Sequence, residues 1–252
     1  MKVTLRYALV GVLLYALFLV LTVPAARVYP ALQDSLQGVA LYDLDGTLWR
    51  GRAAVVQSGR FRFDDVRWSV STAALPGGRL EADLRFKFGG DSQRATVGRT
   101  LGGILYARDT VLRIPAAALE SLIDFPGARL GGRLDVDLKG FEMRAGRPRS
   151  ARGVLRWRNA ALRAPVAVEL GGFKADISTE GENIRALIAD TGGPLQAEGL
   201  LTLSTAGEYR FTGYFRVRDA KQTALVQGLQ FLGEKEADGR IKVALSGKLP
   251  AL

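Results

Sequence analysis

Arg79–Phe88, RLEADLRFKF, alternates without a break: Leu80, Ala82, Leu84, Phe86 and Phe88 on one side, Arg79, Glu81, Asp83, Arg85 and Lys87 on the other. A period of two held over ten residues fits an antiparallel strand with one packed face and one wet face, and an α-helix would scatter those side chains round its axis. The same sorting returns in residues 133–139, where Leu134, Val136 and Leu138 oppose Arg133, Asp135, Asp137 and Lys139. In residues 209–217, Tyr209, Phe211, Phe215 and Val217 oppose Arg210, Thr212 and Arg216, and Ile241, Val243 and Leu245 repeat the pattern. Pro76-Gly77-Gly78, Gly131-Gly132 and Gly192-Gly193-Pro194 read as turns between strands. The fold class expected is mostly β: a curved antiparallel sheet, a two-sheet sandwich or an open β-groove.

Helical pattern is scarce. Residues 114–125 place Pro115 in a first turn and Ala118, Leu119, Leu122 and Ile123 at helical spacing. Residues 219–233 offer Asp219 as an N-cap and Gly233 as a C-cap. Two short helices are therefore expected among the strands. Residues from Gly103 and from Gly213 both run strand, Arg-Asp, helix, and GTLWRGRAA from Gly46 parallels GVLRWRNAA from Gly153. These offsets suggest two related halves, about 38–145 and 146–252.

The N-terminus carries the compartment signal. Residues 7–26 are twenty without a charge, about 30 Å as a helix and enough to cross a bilayer. Lys2 and Arg6 precede them, so the positive-inside rule keeps residues 1–6 in the cytoplasm, with residues 27–37 as a linker and residues 38–252 as a periplasmic β-rich domain. The competing reading, a cleaved signal peptide, rests on the small residues at Val23-Pro24-Ala25-Ala26. The apolar run is longer than an ordinary signal core and favours a retained anchor in the bacterial inner membrane.

Composition narrows the chemistry. The chain has no histidine and no cysteine, which removes imidazole bases, thiolate nucleophiles, His or Cys zinc sites and disulfides. Carboxylates with a hard cation remain, and the stretch from Val39 to Gly51 contains Asp43-Leu44-Asp45-Gly46-Thr47. That stretch resembles the nucleophile motif of haloacid-dehalogenase-type phosphatases. Such an enzyme needs a parallel α/β sheet with a helix soon after the motif, whereas here more strand and turn pattern follows. Asp64-Asp65 comes too early for a second acidic pair and reads as a tight turn. The alternative is that Asp43 and Asp45 face solvent on a strand that buries Tyr42, Leu44 and Leu48. No cofactor or metal is expected. The net charge of +10 is scattered along the chain, which argues against nucleic acid and for an anionic membrane surface or an acidic partner.

The order of features across the chain is similar to that of the type II secretion system protein N family. The matching stretches are the N-terminal anchor ending VPAARVYP, then GTLWRGRA, then FDDVRWSVSTAALPGGRLEADLRF, and finally GPLQAEGLLTLSTAGEYRFTGYFRVRD with GLQFLG and GRIKVALSGKL. Gly46, Thr47, Trp49, Gly51 and Trp68 form the sharpest signature, and its role is structural. The resemblance implies an accessory of the machinery that exports folded proteins across the outer membrane, not an enzyme, with no catalytic residues. Its partners would be other secretion-system proteins, in the inner-membrane platform or the outer-membrane secretin. A more distant likeness, to envelope proteins whose curved sheets hold lipid, implies an acyl-chain carrier instead.

Both readings use the same strands. In a scaffold Leu84, Phe86, Phe88, Leu134, Val136, Leu138, Phe211 and Phe215 interdigitate, and partners meet Arg79, Arg85, Arg133, Arg210 and Arg216 on the opposite face. In a carrier the apolar set lines a groove for lipid. Strands that read as short, together with the family resemblance, favour the scaffold.

Overall fold

The structure, a computed structural model, describes residues 15, 18, 21–32, 38–121, 129–164, 166–219 and 221–248. Among these the chain forms fourteen strands, antiparallel throughout, and it divides into two compact units, residues 1–92 and 93–252.

The apolar alternation slips by one residue at several places, and the backbone shows why. Asp43, Asp65, Asp109 and Asn159 all have φ near +50°, in the left-handed region that Asp and Asn tolerate better than other side chains. Register shifts accompany the last three. Each slip brings apolar residues three apart to the packed side, Leu41 with Leu44, Phe63 with Val66 and Trp157 with Ala160, and the last two are β-bulges. Two expectations are corrected here. Asp64-Asp65 is a bulge inside a ten-residue strand, not a turn, and Gly131-Gly132 lies inside the sixteen-residue strand Arg129–Arg144. A bulge adds a residue without ending a strand, so a strict period-two reading takes it for a turn.

The first unit holds helix α1 (Ala25–Leu32) and strands β1 (Val39–Gly46), β2 (Arg50–Ser58), β3 (Phe61–Val70) and β4 (Arg79–Phe88), each hydrogen-bonded to the next. A 3₁₀ turn, Thr72–Gly77, links β3 to β4 and ends on Gly78 at φ 67°. The free edge of β1 is sealed by the segment before it. Leu48 N–H donates to the Val23 carbonyl (3.2 Å), Pro24 bridges Thr47, and the Tyr29 hydroxyl accepts from Leu41 N–H (3.1 Å). An edge strand covered this way offers no row of open amides for pairing.

The membrane span expected over residues 7–26 lies largely outside the described residues. Tyr15, Phe18 and Leu21 within it are helical with exposed side chains, and the helix stops before Val23. Among the described residues no helix is long and apolar enough to cross a membrane. Residues 27–32, assigned to a linker, belong to the helix Ala25–Leu32.

The second unit is a meander: β5 (Asp91–Thr100, which begins at the boundary), β6 (Ile104–Pro115), β7 (Arg129–Arg144), β8 (Arg147–Ala164), β9 (Val168–Glu180), β10 (Asn183–Asp190), β11 (Leu195–Ser204) and β12 (Glu208–Val217). The chain then forms helix α2 (Thr223–Leu232), β13 (Glu234–Lys235) and β14 (Ile241–Lys248), with β14 placed between β12 and β13. No second sheet covers either unit among the described residues, so the sandwich alternative is not what the strands build; the sheet is open. β7 and β8 run to 16 and 18 residues, which removes the short-strand argument for a scaffold.

The helical patterns take other forms in the structure. Residues 116–121 form a 3₁₀ turn, and 122–128 lie outside the described residues. Helix α2 starts after Gln222, not at Asp219, whose carboxylate instead accepts from Lys221 N–H (2.9 Å) in a local turn. Gly233 is extended, not a left-handed cap, because β13 pairing begins at the next residue.

Candidate functional site: the apolar sheet faces

Registers put the eight apolar candidates where alternation predicted, on one face within each unit. In the first unit the β3–β4 pair carries an aromatic cluster. The Phe63 ring meets Phe86 edge-on at 5.4 Å and Phe88 at 5.3 Å, and Phe61 lies 6.2 Å from Phe88. Leu84 faces the same way opposite Trp68. All four β4 and β3 phenylalanines stay half-buried. Arg79 and Arg85 are exposed on the other face.

In the second unit Leu134 is 2% exposed, while Val136, Leu138, Phe211 and Phe215 are half-buried. Ladder partners continue the apolar face across the sheet: Leu134 opposite Trp157, Trp157 opposite Phe173, Leu201 opposite Phe211 and Phe211 opposite Leu245. Helix α2 closes one end of this face. Leu225 and Leu229 are buried against Leu195, Ile241 and Val243, with Phe211 and Phe215 packed alongside. Away from α2 the face is open: Leu105 is 43% and Leu245 56% exposed. Among the described residues no large side chain is fully buried. Filled interiors normally contain many.

The arginine candidates do not gather. Arg133 is on β7, while Arg210 and Arg216 are on β12, five strand spacings or about 24 Å away at the usual inter-strand distance. Arg216 donates to the Asp238 carbonyl (2.8 Å).

The signature residues form a structural knot at the end of β1–β3. Gly46, at φ 86°, closes β1, and Thr47 N–H donates to the Arg50 carbonyl (2.9 Å) while the Thr47 hydroxyl accepts from Arg50 N–H (3.1 Å). Trp49 lies in the same turn, and its carbonyl accepts from Val70 N–H (2.7 Å). The Trp68 indole N–H donates to the Leu48 carbonyl (3.0 Å), and its ring covers Gly51. The Asp-x-Asp motif has local work of its own. Asp43 takes the left-handed φ of 53° within β1, and the Asp45 carboxylate accepts from Gly46 N–H (2.8 Å) and pairs with Arg52 (3.4 Å). The strand they occupy is antiparallel to its neighbour, not the parallel strand that the phosphatase motif requires. The left-handed residue also corrects the facing expected there: Leu41 and Leu44 are half-buried, and Tyr42 is 51% exposed.

The turn from β10 to β11 is held by a carboxylate. Burial pulls the Asp190 pKa upward, but the guanidinium of Arg218 (2.7 Å) and the amides of Ala197 (3.1 Å) and Gly192 (3.0 Å) outweigh it and hold the group below the ordinary aspartate value.

Residues 37–244 match the family described as Type II secretion system (T2SS), protein N. The chain belongs to that family. A curated relative, the Type II secretion system protein N of Vibrio cholerae serotype O1 (strain ATCC 39315 / El Tor Inaba N16961), is 40% identical over 84 residues, which are 32% of this chain and 33% of the relative. The matched stretch thus spans about a third of that relative's length. No solved structure matches. Protein N is a component of type II secretion and not a known enzyme family, which accounts for a signature built from glycines and an indole with no catalytic group.

The sequence reading did not single out Arg144, Arg147, Arg149 and Leu101. They fall in the stretch with the least distinctive motifs; the three arginines lie within six residues of one hairpin, and the strand register brings Leu101 to the same sheet end.

Proposed function

We propose that this protein is an inner-membrane accessory of the type II secretion machinery. In this reading residues 7–26 anchor it, and its β units support export from the periplasm by binding platform or secretin components. The match to protein N over residues 37–244 carries the reading. The charged sheet faces opposite the apolar ones support it, because polar faces with exposed arginine suit reversible contacts between proteins. Photo-crosslinkers placed at Arg79 and Arg210 in the full chain, in cells making the whole machinery, should give adducts with platform or secretin proteins. Adducts confined to lipid would overturn it. A reporter fused after Leu252 should be active only in the periplasm.

A second reading, an acyl-chain carrier, is favoured by one observation: the half-buried aromatic cluster of Phe61, Phe63, Phe86 and Phe88 on an open face. Apolar area left in water forgoes about 25 cal/mol per Å², which a bound acyl chain recovers. Phospholipid extracted with the wild-type protein, and absent from a folded Phe86→Glu variant, would establish the carrier. Equal lipid content in both would exclude it.

A further inference from the structure

Arg144, Arg147 and Arg149 line a pocket of about 410 Å³ at the end of the second unit, together with Glu182 and Thr205. The β7–β8 turn supplies the arginines, and the β9–β10 and β11–β12 turns supply the other walls. Arg144 and Arg147 are direct ladder partners. Like charges placed opposite each other across a ladder repel. Elsewhere the sheet neutralises such arrangements: Arg158, opposite Arg133, pairs with Asp135 at 2.7 Å, and Arg67, opposite Arg52, pairs with Asp65 at 3.0 Å. Among the described residues, Arg144, Arg147 and Arg149 have no ion pair and no side-chain hydrogen bond. The one acid in the pocket, Glu182, is likewise unpaired.

One turn away stands Leu101, at 92% the most exposed large apolar side chain among those described. Its turn is fixed: Gly103 N–H donates to the Thr100 carbonyl (3.0 Å) and Ile104 N–H to the Thr100 hydroxyl (3.2 Å). Ile104 is the ladder partner of Arg144, so Leu101 and the three arginines project from the same sheet end. Three unpaired guanidinium forks around a cavity suit a phosphate, whose oxygens accept paired N–H bonds. A leucine held out in water suits the boundary between head groups and acyl chains.

We propose that this sheet end docks on an anionic phospholipid surface, with Arg144, Arg147 and Arg149 gripping a head-group phosphate and Leu101 entering the acyl boundary beside it. Arg144 and Arg147, paired one residue beyond the Met143–Pro148 pair of the apolar face, project from the opposite side, that of Arg133 and Arg158, so this contact is separate from any lipid held there. It rests on the reading above only in that the chain is anchored in a membrane.

The chain has no cysteine, so Gly102→Cys gives a unique thiol, at a position where a Cβ meets only the Thr100 hydroxyl at 3.7 Å. The full chain, labelled there with an environment-sensitive fluorophore, is reconstituted into vesicles of phosphatidylcholine alone or with phosphatidylglycerol. The expected result is a blue shift in the phosphatidylglycerol vesicles only, lost in the Arg144→Gln/Arg147→Gln/Arg149→Gln variant and reduced in Leu101→Ser, with the strand signature in circular dichroism unchanged. Equal spectra in both vesicles, or a shift that survives the triple substitution, overturn the proposal. Glycerol phosphate abolishing the shift at moderate concentration would assign the pocket to small soluble anions and overturn membrane docking. Failure of the chain to float with either vesicle would strike the anchored reading and not the pocket, which is then tested by co-sedimentation of the same protein with phosphatidylglycerol vesicles, where absence of binding overturns it.

Discussion

Gly51 passes directly beneath the indole of Trp68: a Cβ built on Gly51 would come 2.4 Å from Cζ2 of the ring, 2.8 Å from the Asp45 carbonyl and 2.9 Å from the Thr47 carbonyl. The ring is held in place by its own N–H bond to Leu48, so it cannot yield without breaking that bond. Gly51→Ala should therefore destabilise the protein by about 1–3 kcal/mol, the usual range for overpacking. Trp68→Phe should cost about 1–2 kcal/mol through the unpaired Leu48 carbonyl and the lost contact. Urea midpoints measure both. In a Trp68→Ala background Gly51→Ala should remain destabilising, because the two carbonyls still stand in the way. A neutral effect there would mean that the ring alone excludes the side chain.

Asp43 tests a backbone role against the phosphatase motif. Its φ of 53° suits Asp or Asn and penalises a β-branched side chain. Asp43→Asn should leave stability within about 0.5 kcal/mol of wild type, and Asp43→Val should lose about 1–2 kcal/mol. Neither should alter Mg²⁺-dependent phosphomonoester hydrolysis, which is expected at background in all three proteins. Turnover in the wild type that disappears in Asp43→Asn would restore the enzyme reading.

The pH dependence follows from Asp190. Its folded pKa is held below the ordinary value of 3.8, so the stability it supplies is complete above that value and is lost as pH falls through the folded pKa. Wild-type thermal midpoints should drop as the pH is lowered below about 4, the unperturbed aspartate range. Asp190→Asn or Arg218→Met should lower the midpoint at neutral pH, by about 1.5–3 kcal/mol for a charge-assisted bond, and flatten the acid limb. An acid limb unchanged in Asp190→Asn would assign it to other carboxylates.

Strand content was legible because alternation is a local signal: Arg79–Phe88 announces its two faces in ten consecutive residues, and the structure keeps them from Ala82 to Phe88, while at the start of the strand Leu80 is exposed and Glu81 is buried. The bulges were not, since Asp65 and Asn159 look like turn residues until the partner strand shows that pairing continues past them. Helix α2 was seen, but its start was misplaced, because Asp219 forms a turn four residues before the first helical residue, Thr223. The apolar candidates fell together because they share one face per strand. The arginine candidates did not, because alternation fixes the face of a strand and not the distance between strands. The pocket of Arg144, Arg147 and Arg149 depends on three turns far apart in the chain, and no window of sequence contains it.

Two substitutions on the same kind of face should part company. Leu134 is 2% exposed, between Ile114 and Trp157 on its two neighbouring strands. Phe86 is half-buried, with one ring contact edge-on to Phe63 and one side open. A carboxylate at position 134 has neither water nor a cation to receive it, so Leu134→Asp should unfold the second unit, a loss above about 4 kcal/mol. A glutamate at position 86 can turn its charge outward and forfeits mainly the aromatic contact and part of the apolar area, about 1–2 kcal/mol. Circular dichroism and urea titration of the full chain in detergent compare them. Unfolding by both would mean that the first unit's aromatic cluster is sealed in solution by something that packs on it, and the open face would then have to be read as an interface already occupied.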